Sequence, residues 1–160
     1  MTRKILFVCR GNICRSPIAE GVFLHLCRER GLANKYIADS AGTGDWHVGQ
    51  APDPRAIAAA RKHGVSLPSI CRQVELGDFE KFDFILAMDR SNFKDLSALC
   101  PAKWQSKIKL MRDFDPDFNK KPDVPDPYYG SPEDFDRVSE ILLHACSGFL
   151  NSLEKEPPSS

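Results

Sequence analysis

The sequence has no long apolar run, no excess of either charge and no internal repeat, and each absence narrows its function. Nothing approaches the roughly 18 consecutive apolar residues of a membrane span. The apolar stretch behind the basic pair Arg3 and Lys4 is too short for a secretory signal. A cytoplasmic protein without membrane contact is expected. Twenty-two Lys and Arg residues offset twenty-two Asp and Glu, so the basic excess of a dedicated nucleic-acid binder is missing. The six cysteines are scattered apart from Cys9 and Cys14. A chain of 160 residues, 42% of them hydrophobic, buries enough surface to fold without disulfide staples. It contains no thioredoxin-type Cys-x-x-Cys and no Gly-x-x-x-x-Gly-Lys-Ser/Thr. Cys27 and Cys146 fall in amphipathic patterns and read as small core residues; Cys71 and Cys100 have no legible role.

What is present alternates between two periodicities. Residues 4–8 read as a short buried strand. Pro17 suits a helix start, and Ile18, Ala19, Val22, Phe23 and Leu26 follow at helical spacing until Gly31. Residues 36–40 form a second candidate strand before a Gly-rich loop around Trp46. Asp53-Pro54 opens a helix to about residue 63, stopped by Gly64. Residues 82–88 are a strong strand candidate, 89–98 a short helix, and 107–111 a last strand. An Asp/Pro/Tyr-rich loop spans 113–131. From Pro132 a final helix carries Phe135, Val138, Leu142, Ala145, Phe149 and Leu153 on one face. This order predicts a single α/β domain over residues 1–153, a parallel sheet with helices on both faces, and a disordered tail over 154–160. Ligands of such sheets sit beyond the carboxyl ends of the strands, and Cys9 stands at that end of the first.

Cys9-Arg10-Gly11-Asn12-Ile13-Cys14-Arg15-Ser16 lies between that strand and the first helix. Gly11 permits a backbone shape other residues resist, and Asn12 tolerates left-handed geometry while its amide ties the loop. Inward N–H groups and the helix N-terminus suit a tetrahedral dianion, which Arg15 can grip with its planar fork. The same field lowers the pKa of a thiol into the range of about 3.5–7.5. Cys9 can then attack phosphorus and form a phosphocysteine, with Ser16 donating a hydrogen bond to the sulfur. A cysteine and an arginine six apart arise readily by chance; the strand before, the Gly-Asn between and the Ser-Pro after supply the specificity. The competing readings are a buried structural cysteine in an ordinary turn, and Cys9 with Cys14 as half of a zinc site whose other ligands are scattered.

A phosphomonoester also needs an acid for its leaving group. Asp126 sits between Pro125 and Pro127 and is followed by Tyr128 and Tyr129, whose faces suit an aromatic leaving group. A solvated loop with two packed tyrosines fits the same residues, and Asp115 is a rival acid. Trp46 is either an opposite wall or a loop anchor. His63 sits near a helix end.

These parts resemble the low-molecular-weight protein tyrosine phosphatases over nearly the whole chain. The resemblance rests on Val8-Cys9-x-Gly11-Asn12-Ile13-Cys14-Arg15-Ser16-Pro17 and on Asp126-Pro127-Tyr128-Tyr129-Gly130. Between them, Ser40-Ala41-Gly42, Asp45-Trp46-x-Val48-Gly49, Asp53-Pro54-Arg55-Ala56, His63-Gly64 and Arg72-Gln73 also match. It implies a four-stranded parallel sheet and metal-independent phosphotyrosine and aryl phosphate hydrolysis, with no cofactor. In that scheme Cys9 is nucleophile, Arg15 transition-state clamp, and Asp126 acid and then base. Asn12, Ser16, Ser40 and His63 hold the loop; Arg10, Ile13, Trp46, Tyr128 and Tyr129 line the substrate slot. Partners would be tyrosine-phosphorylated proteins, including a tyrosine kinase, and the charge balance points to a monomer.

Arg10 departs from the small or apolar residue usual after the nucleophile and is expected to favour acidic peptides. Cys9 and Cys14 can bridge reversibly and shield Cys9 from irreversible oxidation. Three other readings remain. An arginine phosphatase resembles this family but typically carries threonine where Ile13 stands. A thioredoxin-coupled arsenate reductase needs a cysteine relay around residues 75–95, and none lies between Cys71 and Cys100. A phosphotyrosine-binding module would keep the pocket without the chemistry.

Overall fold

The computed structural model describes residues 2–116 and 122–155. Four strands, β1 (Arg3–Cys9), β2 (Tyr36–Gly42), β3 (Phe84–Ala87) and β4 (Ile108–Leu110), form one sheet in the order β2-β1-β3-β4. Every pairing is parallel. Among the described residues, five α-helices surround it: α1 (Arg15–Glu29), α2 (Pro54–Arg61), α3 (Leu76–Lys81), α4 (Arg90–Leu99) and α5 (Pro132–Lys155). The expected α/β architecture is therefore present.

Residues of β1 alternate between two cores. Ile5, Phe7 and Cys9 pack with α1, α2 and α5, whereas Leu6 and Val8 pack with Phe79, Phe82 and Leu96 on the opposite face. Burial on both faces explains why β1 reads as a continuous apolar run rather than an alternating one. The stripe expected on α5 is buried throughout. Each such Leu or Phe contributes about 1.5–3 kcal/mol on leaving water, and truncating Leu142 to Ala would cost about 2–5 kcal/mol.

Helix ends follow local chemistry. After α1, Gly31 takes φ 69°, and the N–H groups of Gly31 and Leu32 turn back to the carbonyls of Arg28 and Cys27. Asp53 caps α2 by accepting from the Arg55 N–H at 2.8 Å, with Pro54 behind it. Asp89 caps α4 through the Asn92 N–H at 2.7 Å.

Several boundaries move. The strand expected over 82–88 shortens to Phe84–Ala87, because Phe82 closes α3. Helix α3 itself, six residues held by reciprocal Glu75 and Asp78 caps, is too short to show a period. Met111 leaves β4 and opens a single turn of tight helix to Phe114. Helix α5 runs two residues past the expected end of the domain, where Glu154 pairs with Tyr36 and Lys35. Residues 117–121 of the long loop and 156–160 of the tail lie outside the described residues. Among the described residues no helix is long and apolar enough to cross a membrane.

Candidate active site

Strand β1 delivers Cys9 to the carboxyl edge of the sheet, and the chain then wraps before α1 begins. The wrap is pinned from several sides. The Thr43 and Gly44 N–H groups bond the carbonyls of Cys9 and Arg10, both at 2.9 Å. Gly42 beneath it admits no side chain, since a Cβ there would stand 2.8 Å from the Arg10 carbonyl and 3.1 Å from the Asn12 nitrogen. Asn12 adopts φ 58°, the one positive φ outside glycine among the described residues. Its amide Oδ1 accepts from the Arg72 N–H at 2.9 Å, and its carbonyl accepts from Cys71 Sγ at 2.8 Å. Those bonds hold the left-handed turn, which an ordinary side chain would resist.

Asn12 also sets the hydrogen bonding of the thiol. Its Nδ2 donates to Ser16 Oγ at 2.8 Å, so Ser16 keeps its own proton to give. Cys9 Sγ is 3.0 Å from that oxygen, nearer than the Ala41 carbonyl at 3.4 Å. The serine is therefore placed to donate to a thiolate. Helix α1 starts at Arg15 with no side-chain cap, leaving its first N–H groups for an anion.

Arg15 is 2% exposed. Its Nη1 bonds Asp89 Oδ2 at 2.6 Å and the Val124 carbonyl at 3.0 Å, and its Nη2 lies 3.6 Å from Asp126 Oδ2. Burial pulls its pKa down, but Cys9, Asp89 and Asp126 outweigh that, and the net direction is upward. Cys14 is buried in the same loop, and its thiol is pushed far up by burial and by the nearby Cys9, Asp53 and Asp126. Burial and Cys9 likewise raise the Cys71 thiol to about 11.

Asp126 arrives on a segment fastened at both ends. At its start, the Val124 N–H bonds the Met88 carbonyl at 2.8 Å, and Asp123 accepts from the Arg90 N–H at 2.9 Å. At its far end, Arg55 donates to the carbonyls of Tyr128 at 3.0 Å and Gly130 at 3.4 Å. Arg55 in turn grips Asp53 and stacks over Phe135 at 4.5 Å. The rival acid Asp115 is buried beside Arg112, away from the pocket.

The pocket above the thiol encloses about 340 Å3. Cys9, Arg10, Ile13, Cys14, Arg15, Trp46, Asp126, Tyr128 and Tyr129 all line it, so the loop, the acid and the aromatic residues expected at the slot come together. Tyr129 is 96% exposed and meets Tyr128 edge to face at 4.8 Å. His47 also lines the pocket, close against Gly11; nothing in its local sequence marks it.

The supporting network differs in one member. Ser40 Oγ does not reach the loop directly; it donates to Glu20 Oε1 at 2.6 Å, and Ser69 Oγ donates to Glu20 Oε2 at 2.6 Å. Glu20, 2% exposed, lies one turn into α1, and burial raises its pKa against the pull of the two hydroxyls. His63, expected in this network, is exposed at the turn after α2. The chain reverses there through Gly64 at φ 73°, which leaves the ring facing solvent, and Ser69 supplies the bond instead. Glu20, Ser69, Cys71, Arg72 and Asp89 carry structural roles that the sequence reading does not assign.

A cysteine at a strand end, wrapped by a loop with a buried arginine at a helix start, defines a class of proteins that seat a tetrahedral oxyanion against a thiol. The family model for low molecular weight phosphotyrosine protein phosphatase matches residues 4–159, and the chain belongs to that family. The pig protein of that name is 41% identical over 155 residues, covering 96% of this chain and 97% of its own. A crystal structure of a protein tyrosine phosphatase from Entamoeba histolytica, with Hepes in its active site, superposes with a TM-score of 0.93 at 44% identity. It covers 96% of this chain and 98% of its own. A more distant solved structure, a Drosophila arginine phosphatase, gives 0.87 at 32% identity, covering 96% and 99%.

Proposed function

We propose that this protein hydrolyses phosphotyrosine in cytoplasmic proteins, a tyrosine kinase among them, through a phosphocysteine intermediate and without a metal. The observation that carries the reading is the arrangement across one pocket. Cys9 Sγ is met by Ser16 from below, Arg15 lies beside it, and Asp126 lies 3.6 Å from Arg15 at the mouth.

In the first step Cys9 thiolate attacks phosphorus as the bond to the tyrosine oxygen breaks. The protonated Asp126 carboxyl gives its proton to that oxygen, and tyrosine leaves. Arg15 and the helix N-terminus stabilise charge on the equatorial oxygens. In the second step the Asp126 carboxylate takes a proton from water as the water attacks phosphorus. The S–P bond breaks, Ser16 steadies the departing thiolate, and inorganic phosphate is released. Tyr128, Tyr129 and Trp46 flank the ring of the substrate.

The pH–rate profile for an aryl phosphate in EDTA tests this, with Cys9→Ser in parallel. Activity that survives EDTA and falls by at least roughly 10⁴-fold in Cys9→Ser supports the thiolate route. Activity on phosphoarginine but not phosphotyrosine would transfer the reading to arginine phosphatases. Binding of phosphotyrosine without turnover would make the protein a recognition module.

The loop supports one further step. Peroxide oxidises the Cys9 thiolate to a sulfenic acid, and the Cys14 thiol displaces its hydroxyl as water, closing a Cys9–Cys14 disulfide that a thiol reductant reopens.

A further inference from the structure

A second cleft, of about 390 Å3, adjoins the catalytic pocket between the loop after β2 and the first turns of α4. Arg10 and Trp46 line both spaces and form the partition between them. The Arg10 guanidinium lies over the indole, 5.0 Å from the ring centroid. No hydrogen bond engages the Arg10 guanidinium among the described residues, so its N–H donors are free for a planar anion. Arg10 is exposed, and no carboxylate pairs with it among the described residues. Across the cleft, α4 presents Asp95, and Asn92 is buried with an Oδ1 that no group among the described residues satisfies.

We propose that this cleft is a second subsite for the substrate peptide, in which Arg10 binds a carboxylate side chain flanking the scissile phosphotyrosine. The proposal rests on the phosphotyrosine reading. With the phosphate over Cys9, the neighbouring chain must leave the pocket across its rim, and Arg10 is the residue next to the nucleophile on that rim. A carboxylate there meets a guanidinium fork that fits it bidentately, without having to break an existing ion pair. Asp95 lines the outer cleft alone. It disfavours acid further from the phosphotyrosine and suits main-chain or cationic donors. Two unlike charges on facing walls thus give the cleft a polarity: acid near the phosphate, donors beyond.

Phosphotyrosine peptides carrying a single Glu, Ala or Lys at each of three positions on either side test it. The quantity read is the ratio of kcat/KM for Glu to that for Ala within each protein, so a general loss of activity cancels. The native protein should prefer Glu roughly tenfold at one flanking position or more, and less at high salt. Arg10→Leu should bring that ratio close to unity. Arg10→Lys should keep part of it, because lysine retains the charge but not the fork. Asp95→Asn should raise it, since a repelling carboxylate is removed. An unchanged ratio in Arg10→Leu, or no Glu preference at any position, overturns the subsite while leaving the phosphatase reading in place. Failure to hydrolyse any phosphotyrosine peptide overturns both.

Discussion

Asp53 and Arg55, two residues apart at the start of α2, join the loop after Cys9 to the segment that carries Asp126. The Asp53 N–H donates to the Ile13 carbonyl at 2.8 Å, while its carboxylate accepts from the Arg55 backbone N–H at 2.8 Å and from the Arg55 guanidinium at 3.0 and 3.1 Å. Arg55 then reaches the carbonyls of Tyr128 and Gly130. The ion pair is part of a strap that ties the segment of Asp126, the proposed general acid, to the loop of Cys9.

Arg55→Ala should therefore damage proton transfer more than attack. General acids contribute about 10²–10⁴-fold. A displaced Asp126 should lower kcat/KM for phenyl phosphate by roughly tenfold or more and barely affect dinitrophenyl phosphate, whose leaving group needs no proton. Arg55→Lys should restore part of the difference. Equal losses on both substrates would reduce Arg55 to a general support.

Ser16→Ala removes the donor to Cys9 and the acceptor of Asn12 together. A hydrogen bond to a charged group contributes about 1.5–3 kcal/mol, so turnover should fall roughly 10–100-fold. In the proposed mechanism Cys9 is the leaving group of the second step, so that step should suffer most. Rapid mixing with an aryl phosphate should show a larger burst of phenolate than the native enzyme gives.

Much of this was readable in advance, and the limits have physical causes. Cys9, Arg15 and Asp126, which the fold brings to one pocket, stand out in the sequence because each is a chemically distinctive residue type in a constrained local setting. Asp89 does not, because a helix-capping aspartate looks the same whether or not its second oxygen reaches an arginine 74 residues away. Glu20 reads as an ordinary helix residue; only the fold sets it against Ser40 and Ser69. His63 misleads because the resemblance marks its position, while the turn at Gly64 decides where its ring points. Helix α3 is set by two caps rather than by a period.

Glu20 should imprint a pH dependence on stability. Burial raises its folded pKa above the ordinary value of about 4.3. Between those two values the folded chain binds more protons than the unfolded one, so this contribution is full below about pH 4.3 and is lost as pH rises through the folded pKa. Urea midpoints measured from pH 4 to 8 should fall less steeply with rising pH for Glu20→Gln than for the native protein. Parallel slopes would show that Glu20 does not titrate in this range.

Disulfide closure should be governed by Cys14. Its thiol is pushed far up by burial and by the neighbouring Cys9 and carboxylates, so the attacking thiolate is scarce at neutral pH. Closure after peroxide should accelerate about tenfold per pH unit between pH 6 and 8. Mass spectrometry of trapped samples checks this. A pH-independent rate, or sulfenic acid that persists at pH 8, would contradict it.

Asp89 has one oxygen on the Asn92 N–H at the first turn of α4 and the other on Arg15. Fraying of that turn should deprive Arg15 of a partner and so weaken the grip on phosphate proposed for it. A local opening of α4, well short of global denaturation, should then be enough to disarm the site. Heat should then extinguish catalysis several degrees before the sheet melts, with amide exchange at the start of α4 rising in step.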